Sequence, residues 1–301
     1  MPAHPLAPRP TQRLEVAGDG VHLAVQCWGP MNAPPLLLVH GYPDNHAVWL
    51  PLIRELANEF RLIAYDVRGF GASARPKGRQ AYRLSLLAHD LEAVIRAVSP
   101  NRPVHLLGHD WGSIQCWEAV TEQRLQPLIA SFTSISGPCL DHMGFWLRER
   151  RKRGLGGLGK QLLSSWYVTF FHLPLLPELV WRLGLDRAWP WLRQRSEGIK
   201  TLPRNPTQRA DGIHGIQLYR ANIIPRLARP RWRETPVPVQ LIVPLRDRYV
   251  RPWLFEGLSC WAPRLTRQTF DAGHWQLLDR PHALAERLRL FTTEVEPIHS
   301  S

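Results

Sequence analysis

A single α/β domain, with a mostly parallel doubly wound sheet and an inserted helical cap, is the fold class the sequence predicts. Three observations predict it. Short apolar runs rich in β-formers recur along the chain, helical periodicities fill the gaps between them, and strand signal vanishes for about a hundred residues between Gly137 and Pro236.

The runs are "VHLAVQCWG", "PPLLLVHG", "FRLIAYDVRG", "PVHLLGHD", "IASFTSIS", "VPVQLIVPLRD" and "LTRQTFDAGHW". Several are apolar at consecutive positions, so both strand faces are apolar and the sheet must be covered on both sides, the setting of parallel strands. Between them, Leu84 to Ser99 ("LSLLAHDLEAVIRAVS") and Pro281 to Val295 ("PHALAERLRLFTTEV") repeat apolar residues every three to four positions, as surface helices do. The strandless stretch is too long for an ordinary loop and must fold. It is rich in Trp, Leu, Pro and Arg, and reads as a helical cap between the sixth and seventh strands, with residues 1–137 and 236–301 forming the core and 138–235 the cap. Its "FFHLPLLPELVWRLGLDRAWPWL" also fits an amphipathic membrane-surface element. Repeated prolines interrupt such a helix and favour the cap.

A chain of 301 residues, 44% hydrophobic, buries an ample core. No run approaches the roughly 20 apolar residues of a membrane span, and "MPAHPLAPRP" lacks the basic start and apolar centre of a signal peptide, so a cytoplasmic protein without an integral membrane span is expected. Cys27, Cys116, Cys139 and Cys260 lie far apart with no metal-ligand spacing, which predicts reduced thiols, no metal site and no disulfide framework. The net charge of +13 favours anionic partners or simple solubility. Its densest cluster, "RERRKRG" at Arg148 to Gly154, lacks interleaved aromatics and base-reading motifs, so a solvated face is expected and no nucleic acid partner.

The chemistry concentrates in four short segments. "LLGHDWGSIQ" ends an apolar run in Gly108-His109-Asp110-Trp111-Gly112, the glycine spacing of a strand-to-helix nucleophile turn with aspartate at its apex. Upstream, "LLLVHGYPDN" ends a run at His40-Gly41-Tyr42-Pro43. The backbone N–H groups of Tyr42 and Trp111 are the expected donors of an oxyanion hole. Downstream, "FDAGHWQLLD" places His274 just after the last strand, where a general base enters, while the other histidines, His109 included, read as structural. The run "VQLIVPLRD" ends at Asp247, able to orient an imidazolium. A carboxylate is already ionised at neutral pH and suits attack on an sp3 carbon bearing a leaving group. The resulting ester must be hydrolysed, so the histidine activates water. Esterase and lipase chemistry is disfavoured.

With these motifs in hand, the chain resembles the epoxide hydrolases of the α/β-hydrolase superfamily from about Leu14 to Val295: "HGYP" is similar to their HGxP segment, "GHDWG" to their nucleophile turn, and "LRDRYV" and "AGHW" to their acid and histidine loops. The resemblance implies the α/β-hydrolase fold and two cap tyrosines that hydrogen-bond the epoxide oxygen. "SWYVTFFHLP" offers Tyr167 and "GIQLYRANI" offers Tyr219. An alkoxide tethered to its carbon is a poor leaving group, and two phenols meet that need. The expected site is therefore Asp110, His274, Asp247, Tyr167 and Tyr219, with Tyr42 and Trp111 at the oxyanion hole and His40, Pro43 and Trp275 at the pocket. It takes a small hydrophobic epoxide and uses no cofactor.

Haloalkane dehalogenases share the aspartate and Trp111, but typically carry Asn where Tyr42 stands and lack the tyrosine pair. Fluoroacetate dehalogenases differ at Trp111, Ile114 and Tyr167-Val168. A non-catalytic protein that binds a hydrophobic ligand is the reading from another class, and the set of Asp110, His274 and Asp247 weighs against it. Some similar proteins carry a following dehydrogenase domain, which the short tail after the final helix is expected not to provide. The motifs are compatible with a monomer or a homodimer.

Overall fold

The computed structural model describes residues 8–152, 165–199, 203, 205–275 and 278–295. Eight strands form one sheet: β1 (Gln12–Ala17), β2 (His22–Trp28), β3 (Pro35–Val39), β4 (Arg61–Tyr65), β5 (Val104–His109), β6 (Ile129–Ile135), β7 (Val239–Pro244) and β8 (Leu265–Phe270). Their order is β1-β2-β4-β3-β5-β6-β7-β8. Only β1 with β2 and β2 with β4 pair antiparallel; the rest of the sheet is parallel. The strand β1 was not among the apolar runs. It is an edge strand that buries only Val16 fully, so its periodicity is faint.

Around the sheet lie α1 (Leu50–Leu56), α2 (Leu84–Val98), α3 (Trp111–Val120), α4 (Leu140–Lys152), α5 (Trp166–His172), α6 (Leu176–Val180), α7 (Asp186–Glu197), α8 (Gln208–Ala228) and α9 (Pro281–Val295). A π-helical segment, Trp181–Leu185, joins α6 to α7. Alternate strand residues feed two cores. Leu37, Val39, Ile63, Tyr65, Leu106 and Leu241 meet α2 and α3, whereas Leu36, Leu38, Leu62, Ala64, Leu107 and Ile242 meet α1 and α9. Both faces of the central strands are thus dry, which is why these runs carry no alternation.

The helices α4 to α8 lie between β6 and β7 in the chain. Both ends of this excursion are tied to α3 by ions. Arg226, Arg231 and Arg233 converge on Glu118, and Arg226 and Arg233 also bind Asp141. Of the "RERRKRG" cluster, the Arg148 side chain donates to the carbonyl of Ala228. The side chains from Arg150 to Lys152, and residues 153 and 154, lie outside the described part.

Candidate active site

Asp110 sits at the turn from β5 to α3 with φ 53 and ψ −123, a conformation a side-chain-bearing residue holds only under constraint. The constraint is close packing. A Cβ on Gly112 would stand 2.0 Å from the carbonyl oxygen of Val39, and one on Gly41 would stand 2.5 Å from the Cβ of Asp110. Only glycine permits this approach, so the spacing seen in the sequence is a steric requirement. The turn lifts the carboxylate off the sheet edge and leaves it slightly accessible.

Around that carboxylate the distant segments converge. The backbone N–H of Tyr42 donates to Oδ1 of Asp110 at 2.8 Å. Trp111 opens α3, where the first N–H groups have no intrahelical acceptor. Nε2 of His274 lies 3.6 Å from Oδ2 of Asp110, and Nδ1 of His274 donates to Oδ2 of Asp247 at 2.8 Å. The other oxygen of Asp247 accepts the backbone N–H groups of Tyr249 and Val250 at 2.8 and 2.9 Å. Burial alone would strip the imidazole of its charge. The flanking carboxylates of Asp247 and Asp110 overcome it and hold the His274 pKa well above the ordinary imidazole value. Burial likewise opposes the charge on Asp247, yet His274 and the backbone donors keep its carboxyl below the usual range.

Across from Asp110, a cavity of about 220 Å³ is lined by Tyr167, Tyr219 and Tyr249 among mainly apolar side chains such as Ile114, Met143 and Leu147. Tyr167 and Tyr219 meet edge-to-face at 6.0 Å, and Trp111 packs against Tyr219 at 4.9 Å, with its side chain hydrogen-bonding the phenol. Burial, reinforced by the charge on Asp110, pushes both phenols far above the usual tyrosine range, so both keep their protons at neutral pH and remain O–H donors in the cavity they share with the carboxylate.

Three expected pocket residues, His40, Pro43 and Trp275, do not line this cavity. His40 is buried with both ring nitrogens engaged: Nδ1 donates to the carbonyl of Gly41, and Nε2 accepts the N–H of Val67. The carbonyl of Pro43 accepts from Gln208. Trp275 donates its indole N–H to Asp44 and its backbone N–H to Glu197, both at 2.7 Å, and its ring backs His274 at 4.4 Å. These three residues shape the loops that hold the site. His109, whose pKa burial lowers to about 4, donates Nε2–H to the carbonyl of His274 from beneath.

Sequence reasoning passed over Tyr249, Asp44 and Glu197. Tyr249 lies two residues past Asp247 and packs edge-to-face on Tyr167 at 5.6 Å and on His274 at 5.1 Å. Asp44, next to the HGYP segment, also pairs with Arg193 of α7 at 3.1 Å, so one carboxylate joins three segments. For Tyr249 and Asp44 nearness to a motif was the available signal; Glu197, at the end of α7, carried none. No group of three or more metal-ligating side chains gathers among the described residues.

Over residues 34–281 the chain matches the α/β hydrolase fold family. It is 36% identical over 291 residues to a Mycobacterium tuberculosis protein named "Probable oxidoreductase EphD", an alignment covering 93% of this chain and 49% of that one. The chain thus spans about half the length of the first curated relatives it matches. It is 25% identical to epoxide hydrolase 3 of Xenopus tropicalis, covering 95% of this chain and 78% of that relative. A crystal structure of an epoxide hydrolase from Bacillus megaterium superposes with a TM-score of 0.75 at 21% identity, covering 94% and 100% of the two chains, a likeness of fold.

Proposed function

The chain belongs to the α/β-hydrolase fold family, and from that premise we propose that it hydrolyses small hydrophobic epoxides to vicinal diols through a covalent ester on Asp110. One observation carries the reading: Oδ1 of Asp110 is held by the N–H of Tyr42 at 2.8 Å while the carboxylate shares one cavity with Tyr167 and Tyr219. The names of the Xenopus and Bacillus relatives agree with it.

With Oδ1 bound, Oδ2 attacks an epoxide carbon. The C–O bond of the ring breaks, and the departing alkoxide takes a proton from Tyr167 or Tyr219. Ester formation removes the charge of Asp110. His274 then faces one carboxylate instead of two and releases a proton, which restores the phenol that gave one up. The neutral imidazole, oriented through Nδ1–H by Asp247, takes a proton from water, and the hydroxide adds to the ester carbon. Negative charge develops on Oδ1, already in contact with the Tyr42 N–H, and the N–H of Trp111, free of an intrahelical acceptor at the start of α3, is the second donor on this reading. Collapse breaks the bond to the diol oxygen, which takes the proton of the added hydroxyl, and leaves the water's oxygen in the Asp110 carboxylate with His274 protonated as at the start.

Single turnover in heavy-oxygen water is the test. The label should appear in Asp110, and His274→Gln should accumulate an adduct visible as added mass on the intact protein. Diol formation with no label in Asp110 overturns the covalent route. Halide release from haloalkanes without turnover of any epoxide overturns the substrate class.

A further inference from the structure

The outer surface of the helical excursion carries an apolar ridge with a basic groove beside it. Leu176, Leu179 and Leu183 fall at helical spacing on one face of α6 and the π-helical segment, with Leu175 exposed just before α6, while Pro177 and Trp181 are buried. Leu175 is 80% exposed and Leu183 77%, and Trp166 on the neighbouring α5 is 65% exposed. Monomeric proteins rarely leave such large side chains together in water without a partner. The two carboxylates within residues 166–187, Glu178 and Asp186, are ion-paired with Arg220 and Arg209, so the positive charges of Arg182 and Arg187 dominate this surface.

Arg220 joins the ridge to the groove. Its guanidinium binds the carbonyls of Phe171 and Leu173 together with Glu178, and it also lines a groove of about 230 Å³ with Arg79, Arg83, His172 and Ile224. No acidic side chain among the described residues lines that groove. Arg79 and Arg83 are exposed, and neither forms an ion pair with a described residue. His172 donates Nδ1–H to the carbonyl of Val168, and its buried Nε2 has no partner among the described residues.

We propose that this face docks the protein on an anionic lipid bilayer, with the leucines entering the acyl boundary and a lipid phosphate seated between Arg79 and Arg83. Apolar side chains flanked by arginines on a chain of net charge +13 match the two attractions of an interfacial element, burial of apolar area and attraction to anionic headgroups. No helix among the described residues is long and apolar enough to cross a membrane. Thr169 is exposed on α5 and lines the cavity above Asp110, so the cavity opens beside the docked face.

The test is co-sedimentation of the full chain with vesicles of phosphatidylcholine alone or mixed with phosphatidylglycerol. Binding should require the anionic lipid and weaken with salt. The variants Leu175→Ser/Leu183→Ser and Arg79→Glu/Arg83→Glu should each lower vesicle partitioning at least roughly tenfold, with melting temperature and turnover of a water-soluble substrate unchanged. Absent binding, or equal binding by wild type and both variants, overturns the proposal. So does binding of inorganic phosphate without binding of vesicles, which would make the groove a site for soluble anions. A dimer that the leucine changes dissolve, with no effect on vesicles, would assign the ridge to a second copy of the chain and likewise overturn it.

Discussion

The backbone N–H of Tyr42 donates to Oδ1 of Asp110 at 2.8 Å, across 68 residues of sequence. On the proposed route the donor that seats the carboxylate for attack also stabilises that oxygen when the ester is hydrolysed.

Asp110→Asn tests that double use. An amide oxygen can still accept from Tyr42, so the fold should survive with an unchanged circular dichroism spectrum. The amide is a poor nucleophile, and epoxide turnover should fall at least about a thousandfold. Retention of more than a tenth of the activity would remove Asp110 from the chemistry.

Asp247→Asn separates the two halves of the reaction. The amide oxygen can keep the N–H groups of Tyr249 and Val250, but its NH2 group then faces Nδ1 of His274 and favours the wrong tautomer. Ester hydrolysis should slow by about a hundredfold or more, with ring opening much less affected, so the adduct should build up in rapid-quench mass spectra.

Tyr167→Phe and Tyr219→Phe should each slow ring opening by roughly ten- to a hundredfold, and the double variant should be close to inactive. Both phenols are held above the ordinary tyrosine range by burial and by Asp110, so each stays a donor at higher pH than a free phenol. The alkaline limb of kcat/KM should therefore lie above the ordinary tyrosine pKa of about 10. A limb well below that value would show that some other group limits the reaction.

Arg233→Ala should destabilise the fold by about 3–5 kcal/mol, because it leaves the buried carboxylates of Glu118 and Asp141 short of a partner. Burial opposes the charge of Glu118, yet Arg226, Arg233 and Arg231 hold its pKa below the ordinary value. A depressed carboxylate stabilises the fold above its unfolded pKa of about 4.3 and loses that contribution as pH falls through the folded value. The melting temperatures of wild type and variant should then converge below about pH 4. A gap that persists in acid would mean the loss is one of packing.

Much of this was open to a reader of the sequence because the relevant physics is local. The apolar runs from "VHLAVQCWG" to "LTRQTF" became strands β2 to β8, and the periodicity of Pro281 to Val295 became α9 with the same bounds. Edge strand β1 was harder to see because it buries little. Asp110 was marked by glycines that the turn cannot do without, and His274 and Asp247 by their places just after apolar runs.

Direction and partnership lay beyond the sequence. His40, Pro43 and Trp275 stand in the right motifs yet do not line the cavity, whereas Tyr249 does. Asp44 meets Arg193 and Trp275 across 149 and 231 residues. Residue type and spacing set which backbone turns form, since those depend on neighbours a few positions away. Which side chains share a cavity depends on how β3, β5, β7, β8 and the helical excursion close on one another, and that is settled only when distant segments pack.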